Sequence, residues 1–186
     1  MYKSLYQKLN ESLHDLLTQV PQPHAASKSK TSRELIKAAS FKAAAVSGTL
    51  SIPAGPLAAL TLLPDVVAVW KIQAQLVADI AASHGKHEML NREILTFCLF
   101  GPGQSAAEDL VARVGQRFIV RKSSQKVFES FLGKIAIRVG KSLIGDRIAR
   151  WIPVVGAVVV ARYSFKDTEK VGASAEEIFS STIEVL

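Results

Sequence analysis

The stretch AAAVSGTLSIPAGPLAALTLLP, Ala43 to Pro64, and its continuation DVVAVWKIQAQLVADIAASH, Asp65 to His84, decide how the chain must fold. The first part holds no charged residue in 22 positions, yet Gly48, Pro53, Gly55, Pro56 and Pro64 interrupt it. Each proline removes an N–H and clashes with the preceding turn, so the run predicts a bent apolar connection rather than a straight membrane span. From Asp65 the breakers cease. Val66, Val67, Val69, Trp70, Ile72, Leu76, Val77 and Ile80, with five alanines, predict a helix over 65–84 that is apolar around most of its circumference. Its polar stripe is narrow: Lys71, Gln75, Asp79 and Ser83, every four residues. Such a helix belongs at the centre of a core.

The rest of the chain is long enough to cover it. At 186 residues there is material for one full hydrophobic core. Apolar residues make up 48% and the mean hydropathy is positive, near the border between soluble domains and polytopic membrane proteins. The single cysteine, Cys98, excludes an intrachain disulfide and reads as a small core residue. Met1 to Asn10 lacks the apolar run of a secretory leader and starts an amphipathic helix instead.

Outward from the centre, Leu5, Leu9, Leu13, Leu16, Leu17 and Val20 predict an N-terminal helix over residues 1–21, ended by Pro21 and Pro23 and either packed on the domain or swinging free. Residues 22–32 form a polar linker, and a helical domain occupies 33–186. Thr31 or Ser32 caps the next helix, with Glu34 in its first turn, and that helix stops near Gly48. Gly85 closes the central helix. Met89 to Phe100 follows as a shorter helix, then Gln104 to Lys122, then one after Ser124 that buries Val127, Phe128, Phe131, Leu132, Ile135, Ala136, Val139 and Leu143. A short turn at Asp146 to Trp151 leads to Pro153 and the valine-rich Val154–Ala161, helical because Arg162, Lys166 and Lys170 continue it at intervals of four. Gly172 breaks that helix, and a last one runs from Ser174 to Leu186. The expected fold is all-α: one bundle of about eight helices and no strand.

Net charge is +7, and its distribution is uneven. Between Arg113 and Arg150 ten basic residues face only Glu129 and Asp146, a local +8 that leaves −1 for the rest of the chain. Arg113, Arg117, Arg121 and Lys122 on one predicted helix, and Lys134, Arg138 and Lys141 on the next, form two basic stripes. Nucleic-acid binding is disfavoured, because the aromatics Phe118, Phe128 and Phe131 are predicted to face inward rather than stack on bases. A membrane surface needs only diffuse charge and apolar insertion, and the chain has both.

Motifs for chemistry are sparse. Val139-Gly140-Lys141-Ser142 ends like a phosphate-binding loop, but Ile135 stands where the first glycine is required. His84, His87 and Glu88 straddle a helix end with no second ligand cluster, and His14 and His24 are isolated. No catalytic residues, metal ligands or cofactor site are expected. Asp65 suits the start of the central helix. Asp79, in an otherwise apolar helix, needs a base, and an arginine from 113–150 is the expected partner; with Gln75 it forms either a buried ion pair or the polar end of a ligand site.

Pro64-Asp65, Gln75 with Ile80-Ala81 and Gly85, Arg147, the string Ile152-Pro153-Val154-Val155-Gly156-Ala157, and Val171-Gly172 with Ala175 and Phe179 together resemble the EcsC protein family over roughly residues 40 to 185. The resemblance implies a bacterial, mainly helical domain without established catalysis, whose founding member is encoded with an ABC transporter and affects protein secretion. Val158-Val159-Val160 and Arg162 depart from the family string, which continues with more glycine and an asparagine. No site residues are carried over. Together these features predict a non-enzymatic, cytoplasmic protein peripheral to the inner membrane, docking on its anionic surface and modulating a transporter or other protein partner. The alternatives are a carrier of a lipid or other apolar ligand, and a membrane-inserting toxin or effector.

Overall fold

The computed structural model describes residues 2–50, 58–101, 110–145 and 153–186. In chain order these form α1 (Tyr2–Thr18), α2 (Ser32–Leu50), α3 (Ala58–Ser83), α4 (Arg92–Phe100), β1 (Val111–Val114), β2 (Arg117–Val120), α5 (Gln125–Gly145), α6 (Pro153–Ser180) and β3 (Thr182–Val185), with 3-10 turns at Ala25–Ser29 and His87–Met89. The chain is mainly helical, as expected. The expectation of about eight helices and no strand is corrected: among the described residues there are six α-helices and a three-stranded sheet.

α3 is the centre. Its C-terminal half is buried from Leu76 to Ala82, and it packs against α2, α6, α1, α4 and the Ala25–Ser29 turn. It begins at Ala58 with Pro64 inside it, so Pro64 does not end the apolar connection and Asp65 does not start the helix. The middle of that predicted connection, 51–57, and the predicted turn at Asp146 to Trp151 lie outside the described residues. Gly85 ends α3 at φ +67°, with Lys86 N–H donating to Ala81 O at 2.8 Å and Gly85 N–H to Ala82 O at 3.0 Å. This double closure needs a left-handed residue, which glycine supplies without a Cβ clash. Lys86 Nζ then donates to the carbonyls of Phe179 and Ser181, satisfying the end of α6.

α1 is packed on rather than free. Leu9, Leu13, Leu16 and Leu17 join one core with α3, α4 and α5, including Phe128 and Phe179, and Trp70 meets Phe100 edge to face at 5.3 Å. Thr31 caps α2 reciprocally. Its N–H and hydroxyl both donate to Glu34 Oε2 at 2.8 Å, and these bonds hold the Glu34 carboxyl below its usual range.

Residues 110–122 are the main departure. The predicted helix over Gln104 to Lys122 is, in its described part, a hairpin: β1 pairs antiparallel with β2 around a turn in which Gly115 has φ +64°. β2 pairs in parallel with β3, setting Phe118 beside Ile183 and Val120 beside Val185. The predicted last helix therefore ends at Ser180, and its final residues complete a sheet. The spacing of four did not reveal this, because it fits one helix face at period 3.6, whereas in the hairpin Arg113 stands opposite Phe118 and Arg117 opposite Val114, on different strands and opposite faces.

Gly172 does not break α6, which passes through it without interruption. A Cβ there would overlap Ile36 Cγ1 of α2 and press on Cδ1 at 3.0 Å. The glycine is a point of close approach between antiparallel helices. Deeper in the same interface runs a polar seam: Ser47 Oγ and Ser164 Oγ are 2.7 Å apart, and fully buried Gln73, which lies off the predicted polar stripe, donates to Asp167 Oδ2 at 2.9 Å and Thr168 Oγ1 at 3.3 Å.

Gly172→Val should lower stability by about 1–3 kcal/mol, the cost of overfilling a packed contact. Adding Ile36→Ala should recover part of that loss. Thermal unfolding of the two variants and the parent checks both statements.

Candidate functional site

Asp79 and Gln75 are brought together, with a partner other than the one expected. Asp79 Oδ1 accepts the His24 N–H at 2.7 Å, its Oδ2 lies 2.8 Å from His24 Nδ1, and Gln75 Nε2 donates to Asp79 Oδ1 at 3.2 Å and to Gln22 O at 2.8 Å. The arginine expected from 113–150 is replaced by His24, which is not isolated, and the pair clips the 22–24 segment to α3. A carboxylate this deep is stabilised by hydrogen bonding rather than by a distant cation. These bonds engage both Asp79 oxygens and Gln75 Nε2.

The basic residues do not form two helical stripes. Arg113 on β1 pairs with Glu177, and Arg117 on β2 pairs with Glu184 at 2.8 Å, all four at the surface. Such pairs contribute little to stability, about 1 kcal/mol at most, but they neutralise the first half of the proposed stripe. Arg121 and Lys122 are exposed after β2, and Lys134 and Arg138 are exposed on α5. The Lys141 side chain lies outside what is described.

Two further clusters of titratable groups come from distant segments. His84 Nε2 lies 2.9 Å from Glu176 Oε2 and 3.3 Å from Ser32 Oγ, joining α3, α6 and α2. Serine, histidine and carboxylate have the composition of a catalytic triad without its wiring: both partners meet the same ring nitrogen, whereas a relay needs the acid on Nδ1 and the hydroxyl on Nε2. Partial burial opposes ionisation of Glu176, and the bonds from Ser32 and His84 outweigh it, holding the carboxyl below its usual range.

Glu93 is almost fully buried. It accepts from Arg92 Nε at 3.0 Å, Ser123 N–H at 3.1 Å and Ser123 Oγ at 2.9 Å, while Arg92 lies 4.5 Å over the Phe128 ring. Burial again opposes ionisation, and the Ser123 and Arg92 bonds overcome it, so the Glu93 carboxyl is also depressed. Burial pushes the Cys98 thiol far above its ordinary range, which leaves it unreactive. Among the described residues no three His, Cys, Asp or Glu side chains gather as metal ligands do.

An open groove of about 660 Å³ runs between α2 and α6. Ser32 and Glu176 stand at one end, and Phe41 and Phe165, edge to face at 5.2 Å, stand toward the other. Sequence periodicity could not have found it, because its walls are about 130 residues apart in the chain. No protein-family model matches this chain, and no curated protein or solved structure does either.

Asp79→Ala should speed backbone hydrogen exchange in 22–30 and α1 while leaving α4 unchanged, readable by mass spectrometry. A depressed carboxyl contributes stability that is complete above the unfolded value near 4.3 and is given up as pH falls through the folded value. Glu93→Gln should therefore cost about 1–2 kcal/mol at pH 7. It should also flatten the decline of unfolding free energy below about pH 4.5, as measured by urea titration across pH.

Proposed function

We propose that the chain acts by binding rather than catalysis, docking on anionic membrane surfaces. The observation that carries this reading is the outer face of α6. Val158, Val159 and Tyr163 are 66%, 39% and 74% exposed there, interleaved with the exposed cations Arg162 and Lys166. α2 runs antiparallel alongside and adds Phe41, 58% exposed, and Lys42 near the same level. Large apolar side chains left in water beside lysine and arginine are what an interfacial surface requires: the cations stay at the phosphates while the apolar groups enter the acyl boundary. This face replaces the hairpin arginines as the proposed contact.

Both components are needed. Each Lys or Arg near an anionic leaflet contributes about 1 kcal/mol, so Lys42, Arg162 and Lys166 together fall well short of the roughly 8 kcal/mol of micromolar binding. Apolar insertion supplies the difference, at about 25 cal/mol for each Å² removed from water. The helix Pro64–Ser83 is long and apolar enough to cross a membrane, but 61% of its most apolar window is buried within the fold. Surface docking therefore leaves the core intact, whereas spanning would require α3 to be stripped of α2 and α6. The EcsC likeness points the same way, toward a role beside a membrane transport or secretion system.

Co-sedimentation with vesicles should show binding to bilayers rich in phosphatidylglycerol that weakens as salt is raised. Val158→Asp with Tyr163→Asp, and separately Arg162→Glu with Lys166→Glu, should each reduce it strongly, while Arg117→Gln should change it little. Equal binding to uncharged vesicles, or none to either, would defeat the reading.

A further inference from the structure

The groove between α2 and α6 has its charges sorted by wall. Arg33 and Lys37 stand on α2, and the carboxylates stand on α6. Glu176 is engaged by His84 and Glu177 by Arg113, so Glu169 is the carboxylate on that wall without a partner among the described residues. Lys37 and Glu169 face the groove at nearly the same level, since Ile36 meets Gly172 on one side and Phe41 meets Phe165 on the other. Cations and a carboxylate with no partner among the described residues, opposed across an apolar floor, match a ligand that carries both charges close together.

The apolar part decides what kind of ligand. From Phe165 the floor continues past exposed Phe41 toward exposed Val158, two turns earlier on the same face of α6. A small zwitterion would leave that strip in water. A purely anionic amphiphile would meet Glu169, and a purely cationic one would meet Lys37 and Arg33. We infer that the groove binds a zwitterionic phospholipid with a primary ammonium, its phosphate at Arg33 and Lys37, its ammonium at Glu169 and its acyl chains along Phe41 toward Val158. The ammonium has three donors for the carboxylate, and the two cations supply charge-assisted bonds to the phosphate oxygens.

The inference shares Phe41 and Val158 with the docking face but turns on Arg33, Lys37 and Glu169, and it is tested without a bilayer. The full chain is titrated calorimetrically with dihexanoyl phosphatidylethanolamine held below its micelle concentration, in parallel with dihexanoyl phosphatidylglycerol and with free phosphoethanolamine. The expected result is saturable binding of the ethanolamine lipid, at least about tenfold weaker binding of the glycerol lipid, as the loss of one charge-assisted pair implies, and no saturable binding of phosphoethanolamine. Glu169→Gln should erase the preference between the two lipids without weakening the glycerol lipid, and Lys37→Glu should weaken both. Both side chains are at the surface, and unchanged thermal unfolding shows that the variants are folded. Equal affinity for the two lipids in the parent, a preference that survives Glu169→Gln, phosphoethanolamine binding as tightly as the lipid, or no saturable lipid binding overturns the inference. Vesicle docking that persists beside any of these outcomes leaves the docking surface standing alone.

Discussion

The absence of a side chain at Gly172 lets α6 lie against Ile36 of α2, and most of the molecule follows from that contact. Two helices so close form a wall that a third can back onto, and α3, apolar on nearly every side, needs such a wall to leave water. With α2 and α6 on one side and α1 and α4 on others, its C-terminal half is enclosed. The same apposition brings Ser47 to Ser164 and Gln73 to Thr168, groups that would be costly to bury alone and that fix the register of the helices when buried together.

Hydrogen-bonded carboxylates then tie the remaining segments to this frame. Asp79 holds the segment leading from α1, Glu176 meets both α3 and α2, and Glu93 joins α4 to the start of α5. In each case a partner lies far away in sequence, and for Glu176 and Glu93 the bonds to the charged form outweigh the cost of burial. The surface that results is divided by use. Arg113 and Arg117 of the hairpin are matched by acids of α6 and β3, whereas the cations on the outer faces of α2 and α6 have no acid partner among the described residues and stand beside exposed aromatic and valine side chains.

Where sequence reasoning succeeded, the signal was local. The apolar periodicity of 65–84, the helix start at Thr31 or Ser32 with Glu34 in its first turn, and the helix stop at Gly85 each depend on residues within a few positions of one another. Valine-rich 154–161 read correctly as helix because Arg162, Lys166 and Lys170 carried the period onward. It failed where one local pattern serves two structures. Basic residues at intervals of four fit a helix face, and the same interval arises when a tight turn sets them on two strands, which hid the hairpin at 111–120. A glycine in a helical pattern signals either a stop or a close neighbour, and only the presence of Ile36 separates them.

By itself, then, the sequence determined that a mainly helical core would form around 65–84, because burying that much apolar surface leaves few alternatives. It also determined where the charge lies along the chain. Tertiary structure decided which charges are spent on one another. Asp79 chose His24, Arg113 chose Glu177 and Arg117 chose Glu184, and the described cations of α2, α6 and α5 are left over with others elsewhere on the surface. Electrostatic partners are selected by distance in space, over a few ångströms, and a distance of that kind between segments tens of residues apart is set only when the core has closed.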